Sequence, residues 1–166
     1  MKDLPIGLQT FSKIIEGGYV YADKTKYVYD LARREGAYFL SRPRRFGKSL
    51  LLSTFEALFS GPPDPSGSSQ GLFADLWIAR ESDYDFKQTH PILTFSMSSD
   101  TASTVDLRES ILKKLEEINQ SEQLGLNISL PGTDLFLLIK RLKEKYGKGV
   151  VVLIDEYDAP VSNNID

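Results

Sequence analysis

The hydrophobic and polar positions of the chain alternate between short apolar runs and amphipathic stretches. Tyr19, Val20 and Tyr21 follow Gly17-Gly18 and predict a short strand. Asp23 then reads as the N-cap of a helix to about Arg34, with Val28, Leu31 and Ala32 inward and Gly36 closing it. Ala37 to Ser41 is an apolar run between Gly36 and Pro43, the pattern of a buried strand. Leu51, Phe55, Leu58 and Phe59 keep helical spacing until Gly61. Ser60 to Gly71 is rich in Pro, Gly and Ser and predicts an exposed loop. The following "LFADLWIA" predicts one short helix with Phe73 and Trp77 packed inward.

Pro91 to Met97 is a second buried-strand pattern. Ser103 to Asp106 has the form of a capping box before a helix carrying Leu107, Ile111, Leu115 and Ile118. A further helix is expected from Asp134, with Leu135, Leu138, Ile139 and Leu142 on one face and Gly147 at its end. Val150 to Ile154 is an unbroken run of branched apolar residues. Such a run predicts a strand covered on both faces, as in a parallel sheet. Strands alternating with helices define an α/β fold with a mainly parallel sheet.

Composition narrows the function. The 166 residues suggest one domain, and 41% hydrophobic with 26% charged residues is enough to build a core. The net charge of -3 argues against a general nucleic-acid surface, although not against a local basic patch. The lack of cysteine excludes disulfides and cysteine-based zinc sites, and a single histidine, His90, excludes a multi-histidine metal site. His90 precedes Pro91 and reads as a strand-edge residue. No stretch approaches the length of a membrane span, and the N-terminus lacks the apolar core of a signal peptide, so the default compartment is the cytoplasm.

Two motifs carry chemistry. Arg42-Pro43-Arg44-Arg45-Phe46-Gly47-Lys48-Ser49 matches the last three positions of the phosphate-loop pattern G-x-x-x-x-G-K-[ST]. Arg42 stands at the first glycine position. Gly47 lets the backbone approach phosphates, the N–H groups at the following helix start face the anion, Lys48 reaches the β- and γ-phosphates, and the Ser49 hydroxyl suits Mg²⁺. "GKS" alone is a common tripeptide at helix starts, so a second motif has to decide. Asp155 and Glu156 end the apolar run 150–154, at the carboxyl end of a strand where α/β sheets bind ligands. Asp155 suits a Walker B metal ligand and Glu156 a general base; Asp158 is a weaker member of the same acidic group. Walker A spans 42–49 and Walker B 150–156. Nucleotide contacts fall on Arg44, Arg45, Phe46, Gly47, Lys48, Ser49 and Leu50. Metal contacts fall on Ser49 and Asp155, and catalytic roles on Glu156 and Lys48. A strand lies between the two motifs, which favours the ATPase division of P-loop proteins over the GTPase-and-kinase division. No NKxD-type guanine readout is present.

"YADKTKYVYDLARREGAYFLSRPRRFGKSLLLSTFEALFSG" followed by "VVVLIDEYD" resembles the predicted AAA-ATPase-like family, from about Leu4 to Asp158. The resemblance implies a three-layer P-loop NTPase fold using ATP and Mg²⁺, and it makes Arg42 a family trait. Members often carry a C-terminal PD-(D/E)xK nuclease-like domain, which implies nucleic acid as a possible partner and leaves an oligomer open. Asp23, Lys24 and Thr25 match a "DKT" segment of the family, either a structural cap or a ligand contact. Arg42, Arg44 and Arg45 can contact phosphate, a nucleic-acid backbone, or only solvent.

Three functions compete: an ATPase acting as part of a larger protein, a nucleotide-binding module without turnover, and a nucleic-acid-associated interaction domain. In the favoured ATPase division the sheet order is 5-1-4-3-2. The chain then supplies strands 1 to 3, and the strand expected between 37–41 and 150–154 is not among its residues. Weak or absent ATPase activity is therefore expected from residues 1 to 166 alone.

Overall fold

A computed structural model describes residues 2–41, 43, 45–60, 70–97 and 104–157. The chain divides into two compact units, Met1–Thr89 and His90–Asp166.

Among the described residues the first unit is helical. It comprises α1 (Phe11–Glu16), α2 (Thr25–Ala32), α3 (Lys48–Ser60), α4 (Gln70–Phe73) and a 3-10 turn at Trp77–Arg80. Its core gathers Phe11, Val28, Tyr29, Leu58, Phe73, Ile78 and Phe86. Phe11 stacks on Phe73 at 4.7 Å between ring centroids, and both are fully buried. Helix α3 contributes as its spacing predicts: Leu58 and Phe59 are buried, and Leu51 and Phe55 pack at the margin.

Several sequence expectations change here. The 19–21 segment is not a strand, and α1, which the sequence reading passes over, buries Phe11 and Ile14. Helix α2 is shorter than expected and begins at Thr25, with Lys24 at its N-cap. The stretch from Leu72 to Ala79 is broken into α4 and the 3-10 turn, because Leu76 takes an extended conformation (φ -99°, ψ 165°). Trp77 is only partly buried. The largest correction falls on 37–41. It is not a strand, and Tyr38, Phe39 and Leu40 are 53%, 70% and 40% exposed. A strand is held by lateral backbone hydrogen bonds, and this unit contains no strand among the described residues to supply them. The Gly61 helix stop and most of the 60–71 loop lie outside the described residues.

The second unit is α/β. Strand β1 (Ile92–Ser96) pairs in parallel with β2 (Val151–Asp155), Leu93 opposite Val152 and Phe95 opposite Ile154. Helices α5 (Thr104–Ser121) and α6 (Pro131–Tyr146) connect them, the crossover a parallel pair requires. Leu93 and Phe95 form a core with Leu115, Leu138 and Leu142, and Val152 packs against it. Leu153, which points the other way along the strand, is buried as well, but Ile154 is 45% exposed, so cover does not extend to the end of the apolar run.

Helix α6 starts at Pro131 rather than at Asp134. The Asp134 carboxylate turns back to accept the N–H groups of Ser129 and Leu130. These two bonds hold its carboxyl below the ordinary value of 3.8. The helix ends at Gly147, whose φ of 65° favours glycine. His90 Nδ1 donates to the Gly149 carbonyl at 2.9 Å, beside the start of β1, in keeping with a strand-edge residue. Ser103 and the proposed capping box at the head of α5 fall outside the described side chains. Among the described residues no helix is long and apolar enough to cross a membrane.

Candidate functional site

Helix α3 opens with Lys48, Ser49 and Leu50. The turn before it is made by two residues of left-handed φ, Arg45 at 66° and Gly47 at 76°, either side of Phe46. Glycine adopts that conformation freely, whereas at Arg45 it costs about 1 kcal/mol. The first helical bond runs from Leu51 N–H to the Gly47 carbonyl at 3.0 Å, so Lys48 and Ser49 form the opening turn of the helix. Phe46 is 60% exposed, while Gly47 to Leu50 are half-buried. Leu50 packs on the first unit's core and Phe11 N–H donates to Ser53 Oγ at 2.9 Å, which anchors the helix below the loop. Arg42 and Arg44 lie outside the described residues.

The Asp23-Lys24-Thr25 segment divides into two roles. Asp23 Oδ1 accepts the Thr25 N–H at 2.8 Å and the Thr25 hydroxyl at 2.6 Å, and Asp23 Oδ2 accepts the Trp77 N–H at 2.6 Å. Thr25, fully buried, in turn accepts the Ile78 N–H at 3.1 Å. Burial pushes the Asp23 carboxyl up. The hydrogen bonds from Thr25 and Trp77, with the charge of Arg80, outweigh it and hold the group below its ordinary value. Asp23 and Thr25 are therefore structural. Lys24 is different: its ammonium lies 3.7 Å from where a Cβ at Gly47 would stand. The two alternatives left open by the sequence, structural cap and ligand contact, thus fall on different residues of the segment, the cap on Asp23 and Thr25.

In the second unit, β2 ends at Asp155, and Glu156 turns sharply away with a φ of 52°. Asp155 Oδ1 accepts the Glu156 N–H at 2.9 Å, and the Asp155 carbonyl accepts the Met97 N–H at 3.0 Å. The turn leaves Glu156 exposed and Asp155 half-buried. Asp158 lies outside the described residues. The Ser49 hydroxyl and the Asp155 carboxylate are hard oxygen donors of the kind Mg²⁺ takes.

The described residues thus make an α/β protein whose parallel strand ends in two carboxylates and whose loop-to-helix turn carries Gly47-Lys48-Ser49. The family described as Predicted AAA-ATPase matches residues 5–166, and the chain belongs to this AAA-ATPase-like family. A relative described as an uncharacterized protein in the vnfD 5′ region of Azotobacter chroococcum mcd 1 is 38% identical over 167 residues. The match covers 99% of this chain, which spans 30% of the length of that curated relative. No solved structure matches.

Proposed function

We propose that the chain belongs to one P-loop domain, in which residues 42–49 bind the phosphates of ATP and residues 150–156 serve Mg²⁺ and water. The observation that carries this reading is the turn of Arg45 and Gly47 that leads into Lys48 and Ser49 at the head of α3. Such a turn supports phosphate binding, because a left-handed glycine before a helix start exposes backbone N–H groups on which an anion can sit, on the favourable side of the helix dipole. Lys48 supplies charge to the β- and γ-phosphates through charge-assisted hydrogen bonds. Arg44, Arg45, Phe46 and Leu50 complete the nucleotide contacts. Ser49 and Asp155 would hold Mg²⁺, which neutralises phosphate charge when bound. Glu156, exposed beyond the strand end, accepts the proton of the attacking water as general base.

The parallel pairing of β1 with β2 supports reading them as neighbouring strands 2 and 3 of the 5-1-4-3-2 order. Hydrolysis, any nucleic-acid partner and any oligomer are proposed for the whole protein. Calorimetric titration with MgATP tests the reading. Lys48→Ala is expected to weaken binding at least tenfold, in line with the loss of a charge-assisted contact worth about 1.5–3 kcal/mol. Equal affinity in wild type and variant would remove the loop as the phosphate site.

A further inference from the structure

We propose that Lys24 is a second phosphate-binding lysine of this site. Its ammonium stands over the loop at Gly47 and meets the phosphate chain alongside Lys48. The inference rests on the phosphate-loop reading above and adds to it a residue outside the loop motif.

Three observations lead to it. The Lys24 Nζ lies 3.7 Å from the place of a Cβ at Gly47, in van der Waals reach of it, so the ammonium stands beside the loop backbone at the head of α3. The lysine also projects from a fixed point. Asp23 and Thr25 on either side are bound to each other and to the 3-10 turn, and the Lys24 carbonyl accepts the N–H groups of Tyr27 and Val28 at 3.0 and 3.4 Å. A long, flexible side chain rooted in this way loses less freedom when its tip is captured. Finally, the charge is poorly placed unless an anion joins it. Lys24 is the N-cap of α2 and its tip sits by the head of α3, where helix dipoles disfavour a cation. Among the described residues the ammonium makes no ion pair. A polyphosphate at the loop neutralises the Lys24 charge and meets the dipole at the head of α3. Because the gain grows with ligand charge, Lys24 favours the triphosphate over the diphosphate.

The test is calorimetric titration of the 166-residue chain with MgATP and MgADP, on wild type, Lys24→Met, Lys24→Arg and Lys48→Ala. Lys24→Met keeps most of the aliphatic stem of an exposed residue, and an unchanged thermal midpoint without nucleotide shows that it folds. The expected result is a loss of roughly tenfold in MgATP affinity for Lys24→Met, a smaller loss for MgADP, and recovery in Lys24→Arg. If Lys24→Met binds MgATP as wild type does while Lys48→Ala does not, Lys24 is not a phosphate ligand and the phosphate loop stands. If Lys24→Met weakens binding only by lowering the midpoint, or Lys24→Arg fails to recover, the role is structural and the proposal is overturned. If wild type and Lys48→Ala fail alike to bind MgATP, the phosphate-loop reading falls first and this inference with it.

Discussion

Replacing Asp23 with alanine deletes both oxygens of a carboxylate that accepts from the Thr25 N–H, the Thr25 hydroxyl and the Trp77 N–H. The three donors lose differently. Thr25 is fully buried, so its hydroxyl is left facing protein, a loss of about 1 kcal/mol or somewhat more. The Thr25 N–H opens the first turn of α2, and losing its hydrogen bond costs roughly 0.5–1.5 kcal/mol. The bond to Trp77 lies at the surface, where water takes over the N–H, so it adds little. The sum is about 2–3 kcal/mol. For a chain of this size that lowers Tm by roughly 5–10 °C. It also frees the 3-10 turn from α2, since Asp23 and Thr25 are its two polar anchors.

The same bonds set a pH signature. The folded carboxyl of Asp23 titrates below its ordinary value of 3.8. Its stabilisation is therefore complete above that value and is lost as pH falls through the lower, folded one. The gap between wild type and Asp23→Ala should be full at pH 7 and close in strong acid. Thermal unfolding followed by circular dichroism, with Asp30→Ala as an exposed control on the same helix, measures both. A shift at pH 7 no larger than the control's, which is expected within about 0.5 kcal/mol, would refute the anchoring role. A gap that stays constant down to pH 2 would refute the charge argument while leaving the packing one.

Other outcomes follow from the same structure. Glu156→Gln is expected to leave MgATP affinity unchanged and cut turnover by roughly 10²–10⁴ in the whole protein. A variant that binds less but hydrolyses bound ATP at the normal rate is incompatible with a general base. Phe73→Ala opens a cavity beside Phe11 and Phe86 and should cost about 3–5 kcal/mol by urea unfolding; a loss under about 1 kcal/mol would mean the core is not packed around this ring. Asp134→Ala should destabilise the second unit at neutral pH. Its effect should vanish in acid, because the wild-type carboxyl, held low by the Ser129 and Leu130 N–H groups, loses its contribution as pH falls through its folded value. An acid-independent deficit in thermal unfolding would contradict that.

The parts of the fold that were legible in the sequence are those whose stabilising contacts are close along the chain. Helices α3, α5 and α6 announce themselves by apolar residues three and four apart, and Leu58, Leu115, Leu138 and Leu142 are buried where that spacing puts them. Their ends were less legible. Asp134 looked like a helix start because acidic residues favour that place, yet it lies inside the first turn of α6 and reaches back to cap it. Phe11, Ile14 and Ile15 carry the same spacing in α1, but its six residues are too short a span for periodicity to mark a helix.

What the sequence could not show is what depends on distant neighbours. The apolar runs 37–41 and 150–154 both predict strands, and only the second is one. Val151 to Asp155 has β1 to pair with, residue for residue from Ile92 to Ser96. Residues 37–41 sit in a unit whose described elements are helices, so their aromatic and apolar side chains find no strand to lie against, and Phe39 is 70% exposed. Strand propensity measures fit to a pleated, half-covered surface, and without such a surface it has nothing to act on. The candidate site obeys the same rule. Gly47 is legible as a point of close backbone approach, because glycine has no side chain. Arg45 and Glu156 take left-handed φ without any such residue signal. Nor could spacing reveal that Lys24 reaches Gly47, since helix α2 and the 37–41 run lie between them in the chain. Residues 24 and 47 meet only because α2 folds back beside the loop, and no pattern along the chain marks that.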